Sequence, residues 1–303
     1  MVRVKSLSNT GVAIPEVGLG TSNYHGGAEL LRKGLDSGAL FIDTAESYGT
    51  EPVVGRAVAG VRRDVFIATK VSPQHFRFAR VLQAADDSLT RLGTDWIDLY
   101  QLHTPNDKVP IEETLAAMEQ LVDAGKVRFV GVSNFSVAQL ERARQATRKH
   151  PIVSNQVRYN VVDRTIETDL LKYCQEHGIA IIAHSPLAHD LQRLLDCDPD
   201  GALAEVARLT GKTMAQVAIN WCLCKDGVVA IPKSNSAAHV IENCGASSWR
   251  LTGEQLQFLD RSIRWRRRGR IETFVRSALP PSTTPALGRL VQMLPRGLRR
   301  RLK

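Results

Sequence analysis

Three consecutive apolar runs in this chain finish in a titratable residue, and that pattern restricts its fold more than composition does. Phe41-Ile42 ends in Asp43, Val65-Phe66-Ile67-Ala68-Thr69 ends in Lys70, and Trp96-Ile97-Asp98-Leu99-Tyr100-Gln101-Leu102 ends in His103. Gly38 stops the helix before the first run, so Asp43 reads as the carboxyl end of a buried strand. From Asp43 to Lys70 is 27 residues, from Lys70 to His103 is 33, and from His103 to Ser133, the end of Val127-Arg128-Phe129-Val130-Gly131-Val132, is 30. Each interval is the length of one strand and one helix. The next two strands end near Asn155-Gln156 and at His184. Polar groups gathered at one end of successive parallel strands predict a (β/α)8 barrel, an α/β TIM barrel with its site on the carboxyl-end face. A doubly wound sheet shares the alternation, but its Gly-rich turn is incomplete here: Gly18-Leu19-Gly20 lacks the third glycine.

The 303 residues fit one such barrel with extensions. The reading places the barrel at residues 1–278, with Val4–Leu7 and Val12–Ile14 as an N-terminal β-hairpin plugging its amino end, and a linker with a basic C-terminal extension at 279–303. Helices are expected through Ala28, Leu30, Leu31 and Leu35 and at about 51–59, 77–91, 111–124, 136–148, 166–176, 213–224 and 236–244. His189 to Leu209, with Asp196, Asp198 and Asp200, reads as a long loop of the kind that serves as a lid.

The net charge of +9 suggests nucleic acid until it is divided along the chain. Residues 261–303 carry 13 Lys/Arg and one acid, a local +12, which leaves 27 basic against 30 acidic residues, or −3, for 1–260. The basic character belongs to the tail, which argues against a nucleic-acid partner for the domain. Five cysteines without a CxxC pair read as core thiols, and no metal site is expected. The opening residues lack a hydrophobic signal core and no run approaches 18 apolar residues, so the expected location is cytoplasmic.

Tyr48 follows Asp43 by five residues and precedes the turn glycine Gly49. A phenol acting as an acid at neutral pH needs a neighbouring cation; Lys70 can be that cation, Asp43 can neutralise it, and His103 can orient a substrate oxygen. The plainer alternative is a structural ion pair, a loop tyrosine and a core histidine. Finding all four at successive strand ends favours the chemical reading.

These residues resemble the aldo-keto reductase family. The similarity lies in Phe41-Ile42-Asp43-Thr44-Ala45 with Tyr48-Gly49, Ala68-Thr69-Lys70, Ile97 to His103, Gly125-Lys126-Val127-Arg128 leading to Gly131-Val132-Ser133-Asn134-Phe135, Asn155-Gln156-Val157 and Ile231-Pro232-Lys233-Ser234. The resemblance implies an NADPH-dependent oxidoreductase, with NADH as a second candidate, that reduces a small-molecule aldehyde or ketone. It implies Tyr48 as proton donor, supported by Asp43, Lys70 and His103. It also implies a cofactor site of Gly20, Thr21, Asp43, Ser133, Asn134, Gln156, His184, Ser185, Leu187, Lys233, Ser234, His239, Glu242 and Asn243. Tyr24, in the loop after the first strand at the active-site end, joins Tyr48 and His103 as an expected wall of the substrate pocket. A cofactor-binding regulatory subunit with little turnover is the alternative. Two positions depart from the family pattern. His184-Ser185-Pro186-Leu187 has histidine where the family usually has the tyrosine that stacks on nicotinamide, and His239 stands where an arginine usually meets the 2′-phosphate.

The tail lies outside the resemblance. Leu287, Leu290, Val291 and Leu294 share a helical face among Arg and Lys, so it reads either as a peripheral membrane contact or as a docked or disordered end with solvated basic groups.

Overall fold

The computed structural model describes residues 2–265. The readings for the linker and tail fall outside the described residues.

Eight short segments pair in parallel, each with the next in the chain: β3 (Leu19–Gly20), β4 (Phe41–Asp43), β5 (Phe66–Val71), β6 (Ile97–Leu102), β7 (Val127–Ser133), β8 (Ile152–Arg158), β9 (Ala180–His184) and β10 (Val228–Ile231). A parallel bridge from Val17 to Ala230 and the Gly20 N–H donated to Pro232 O at 3.1 Å bring the first strand back to the last. The result is the expected (β/α)8 barrel. The hairpin of β1 (Val4–Ser6) and β2 (Ala13–Pro15) lies at its amino end, where Lys5 Nζ donates to Leu223 O, Lys225 O and Val228 O at 2.6, 3.0 and 2.8 Å.

The strands read as continuous apolar runs because both of their faces are buried. One face packs on a ring of helices: α1 (Gly27–Asp36), α2 (Glu51–Val58), α3 (Phe78–Leu92), α4 (Ile111–Asp123), α5 (Val137–Ala146), α6 (Leu170–Glu176), α9 (Met214–Leu223) and α10 (Ala237–Cys244). The other fills the barrel with Phe41, Phe66, Ala68, Leu99, Val153, Ile182 and Ile231, while Leu7 and Ile14 close it from the hairpin. Two residues beyond Phe41, Ala68, Leu99 and Ile182 come Asp43, Lys70, Gln101 and His184. With a side-chain period of two, the same inward face therefore changes from apolar to polar as each strand reaches its carboxyl end.

The segment His189 to Leu209 departs from expectation, because it folds into two helices rather than one long loop. In α7 (Leu191–Leu195) the N-cap Asp190 accepts from Gln192 N, and before α8 (Ala202–Thr210) Asp198 accepts from Ala202 N and Leu203 N, both at 2.8 Å. Asp198 is thus an end cap rather than a lid residue. A further helix, α11 (Gly253–Ser262), starts with a reciprocal Thr252–Gln255 capping box.

Candidate active site

Strand β4 ends at Asp43, and the next residues turn through a single 3-10 helix, Glu46–Tyr48, which Gly49 closes at φ +68°. Glycine adopts that left-handed conformation at no steric cost, so Gly49 suits the point where the chain leaves the Tyr48 turn. Lys70 Nζ donates to Asp43 Oδ2 at 2.7 Å and to Thr44 O at 2.8 Å, with no exposed surface of its own. It also lies 5.0 Å from the centroid of the Tyr48 ring. His103 completes the group: its Nε2 is 3.4 Å from the Tyr48 hydroxyl, and the two rings meet edge to face. The structure therefore brings together all four residues that the sequence singles out.

Electrostatics fixes their protonation. Burial and the nearby Lys70 charge lower His103 to about 3, so its ring is neutral. Burial works against the Lys70 ammonium, but Asp43 and Tyr48 outweigh it and its pKa lies above the ordinary value. Burial raises the Tyr48 phenol, Lys70 pulls it down and Asp43 pushes it up, with a net rise. Lys70 thus moderates the phenol without bringing it below its ordinary range, and Tyr48 keeps its proton at neutral pH.

Around this group lies a ring of carboxamides. Gln156 Nε2 donates to Asp43 Oδ1 at 2.6 Å, and Gln101 Nε2 approaches the same oxygen at 3.4 Å. Ser133 Oγ and the Asn134 N–H both donate to Gln156 O at 2.9 Å, and Asn134 Nδ2 donates to His103 O at 3.2 Å. Asn134 has φ +63°, a conformation that asparagine tolerates better than most residues.

The remaining expected cofactor residues divide by exposure. Gly20 packs so closely that a Cβ there would lie 2.8 Å from Ile231 O. Thr21 is fully buried and donates its hydroxyl to Asp43 O at 3.0 Å, so it acts on the site through Asp43. Lys233 and His239 are exposed beside the start of α10, whose N-cap Ser236 contributes no side-chain cap. An exposed lysine next to uncapped helix N–H groups suits a phosphate, so these residues fit NADPH. Glu242 and Asn243 follow on α10, and Ser234 Oγ accepts from Ser236 N at 3.0 Å. His184 Nδ1 is 3.1 Å from Ser185 Oγ, Ser185 O accepts from Asn160 Nδ2 at 2.9 Å, and Leu187 packs on the helix-side core.

Tyr24 is buried just before the start of α1. Its hydroxyl donates to Gly27 O at 2.7 Å, and it lines a small cavity with Gly20, Leu31, Ser234, Val240 and Asn243.

The sequence profile of the Aldo/keto reductase family matches residues 16–264. The chain belongs to that family. Methylglyoxal reductase YeaE of Escherichia coli (strain K12) is 37% identical over 261 residues, covering 83% of this chain and 92% of that protein. A glyoxal reductase of Bacillus subtilis (strain 168) is 35% identical over 258 residues, covering 83% and 90%. Among solved structures, an aldo-keto reductase from Klebsiella pneumoniae in complex with NADPH superposes with a TM-score of 0.81 at 39% identity, covering 88% of this chain and 98% of that one. This reductase is accordingly an NADP-dependent, carbonyl-reducing enzyme with NADPH as its cofactor.

Sequence reading missed three polar neighbours of the reductase site. Gln101 lies two residues before His103 on the inward face, a period-two signal hidden inside an apolar run. Ser47 Oγ is 3.4 Å from His103 Nδ1. Glu46 accepts from Ser72 N at 2.6 Å and pairs with His75 Nδ1 at 2.9 Å. Among the described residues, no group of three or more His, Cys, Asp or Glu is placed to hold a metal ion.

Proposed function

We propose that this reductase acts on small carbonyl compounds, 2-oxoaldehydes such as methylglyoxal first among them, with Tyr48 as the proton donor. The observation that carries the reading is the Tyr48 hydroxyl 3.4 Å from a neutral imidazole nitrogen, with its ring over the buried Lys70 ammonium. When bound, NADPH supplies a hydride from nicotinamide C4 to the carbonyl carbon. Tyr48 gives its proton to the carbonyl oxygen, and Lys70 stabilises the phenolate that remains. Neutral His103 offers that oxygen a hydrogen bond from Nε2. Asp43 keeps Lys70 charged and in place.

Ser133, Asn134 and Gln156 are suited to a carboxamide, since together they offer donors and acceptors at one rim. Gln156 would turn from Asp43 Oδ1 to make that contact. His184 is assigned the stacking role, with Ser185 and Leu187 shaping its turn. Lys233, Ser234, His239, Glu242 and Asn243 are assigned the adenosine and 2′-phosphate end, next to Gly20 and Thr21. The relatives named for methylglyoxal and glyoxal reduction support the substrate class, as do the polar groups Ser22, Ser47 and Asn134 close to Tyr48 and His103. The five thiols, all free, suit a cytoplasmic setting.

The test is NADPH consumption with a panel running from methylglyoxal and glyoxal to bulky apolar ketones. Turnover highest on the small dicarbonyls is expected. A preference for large apolar ketones would overturn the substrate class, and no turnover on any carbonyl would overturn the activity.

A further inference from the structure

Tyr48 sits on a turn three residues long, and something must fix that turn relative to β5, which carries Lys70. Ser47 and Tyr48 each lie 3.4 Å from a ring nitrogen of His103, and the Tyr48 ring also faces Lys70 Nζ at 5.0 Å from its centroid. Glu46 makes the short contacts: one carboxylate oxygen, Oε1, accepts the Ser72 N–H at 2.6 Å and lies 2.9 Å from His75 Nδ1. Ser72 follows β5 immediately, two residues beyond Lys70, and His75 lies in the next turn, Pro73–His75. A single acid therefore ties the turn bearing the proton donor to the strand end bearing its cation. The Glu46 side chain is 9% exposed, whereas its second partner, His75, is 40% exposed.

We propose that Glu46 is a positioning residue for proton transfer, fixing the Tyr48 turn against the carboxyl end of β5, with His75 as its second anchor. Glu46 need not touch substrate or cofactor to do this. A displacement of about 1 Å in a reacting group costs on the order of 10²-fold in rate. The inference rests on the reading of Tyr48 as the acid, because its consequence is felt through that hydroxyl.

The experiment is a double-mutant cycle on the full chain, measured with NADPH and methylglyoxal, using Glu46→Ala, Tyr48→Phe and the pair. His75→Ala serves as a second variant that cuts one anchor and leaves the Glu46 charge in place. Glu46→Ala is expected to lower kcat by about 10- to 100-fold, with the NADPH Kd within about twofold of wild type. His75→Ala should produce a smaller loss of the same kind. In the Tyr48→Phe background, Glu46→Ala should cost almost nothing more, because the group it positions is gone. Glu46→Gln retains an acceptor for the Ser72 N–H and should restore much of kcat. Full additivity in the cycle would overturn the proposal, as would a Glu46→Ala kcat within about twofold of wild type. A loss of kcat matched by weakened NADPH binding and a lowered Tm would reduce Glu46 to a structural role and equally overturn it. Failure of the underlying reading looks different: Tyr48→Phe would then remain active by itself, whatever Glu46→Ala does.

Discussion

Lys70 Nζ lies 2.7 Å from Asp43 Oδ2 inside the barrel mouth, with side-chain exposures of 0% and 3%, so each charge is tolerated only because the other is there. Removing one partner leaves the other buried and unpaired. Lys70→Met should abolish carbonyl reduction and also cost about 3–5 kcal/mol of stability. Adding Asp43→Asn removes the stranded charge, so the double variant should regain stability without regaining turnover. Denaturant unfolding and kcat, measured on the same three proteins, check both halves.

The neutral ring of His103 has a signature in pH. Its folded pKa, about 3, lies below the ordinary 6.5 of the unfolded chain. Between those values the unfolded state binds a proton that the folded state refuses, so stability rises with pH there and is lost as pH falls through the window. The slope due to this group is at most about 1.4 kcal/mol per pH unit. Unfolding free energies from pH 7 to pH 4 should fall less steeply for His103→Gln than for wild type.

The seam between first and last strands sets a steric prediction. A Cβ at position 20 would lie 2.8 Å from Ile231 O, a backbone atom that cannot swing aside. Gly20→Ala should therefore displace β3 from β10, costing about 1–3 kcal/mol and weakening NADPH binding at the same edge. Thermal unfolding and fluorescence titration of NADPH report the two effects.

Cofactor choice is assigned to the start of α10. Lys233→Met should weaken NADPH much more than NADH, because only the former carries the 2′-phosphate. His239→Arg should tighten NADPH selectively by restoring a permanent guanidinium fork. Titration of each variant with both nucleotides is the check, and equal effects on both would remove residue 239 from the phosphate contact.

Much of this architecture was legible because strands buried on both faces write long apolar runs, and a titratable residue at the end of such a run stands out. Asp43, Lys70 and His103 were visible for that reason, and Tyr48 through its fixed offset from Asp43. Gln101 was not, since a polar residue one step inside the run looks like an interruption until the inward face is known. Asp198 looked like a lid residue because a cap and a loop acid share one composition, and only the N–H groups of Ala202 and Leu203 tell them apart.

The central claim is proton donation by Tyr48 to a carbonyl that receives hydride from NADPH. Its most direct test compares wild type with Tyr48→Phe in methylglyoxal reduction, using NADPH deuterated at the transferred position so that a primary isotope effect marks chemistry as rate-limiting. General acid catalysis contributes about 10²- to 10⁴-fold, so the variant should lose at least about 10²-fold in kcat while its NADPH Kd stays within about twofold of wild type. A Tyr48→Phe enzyme that kept more than about a tenth of kcat, with the isotope effect still expressed, would contradict the account.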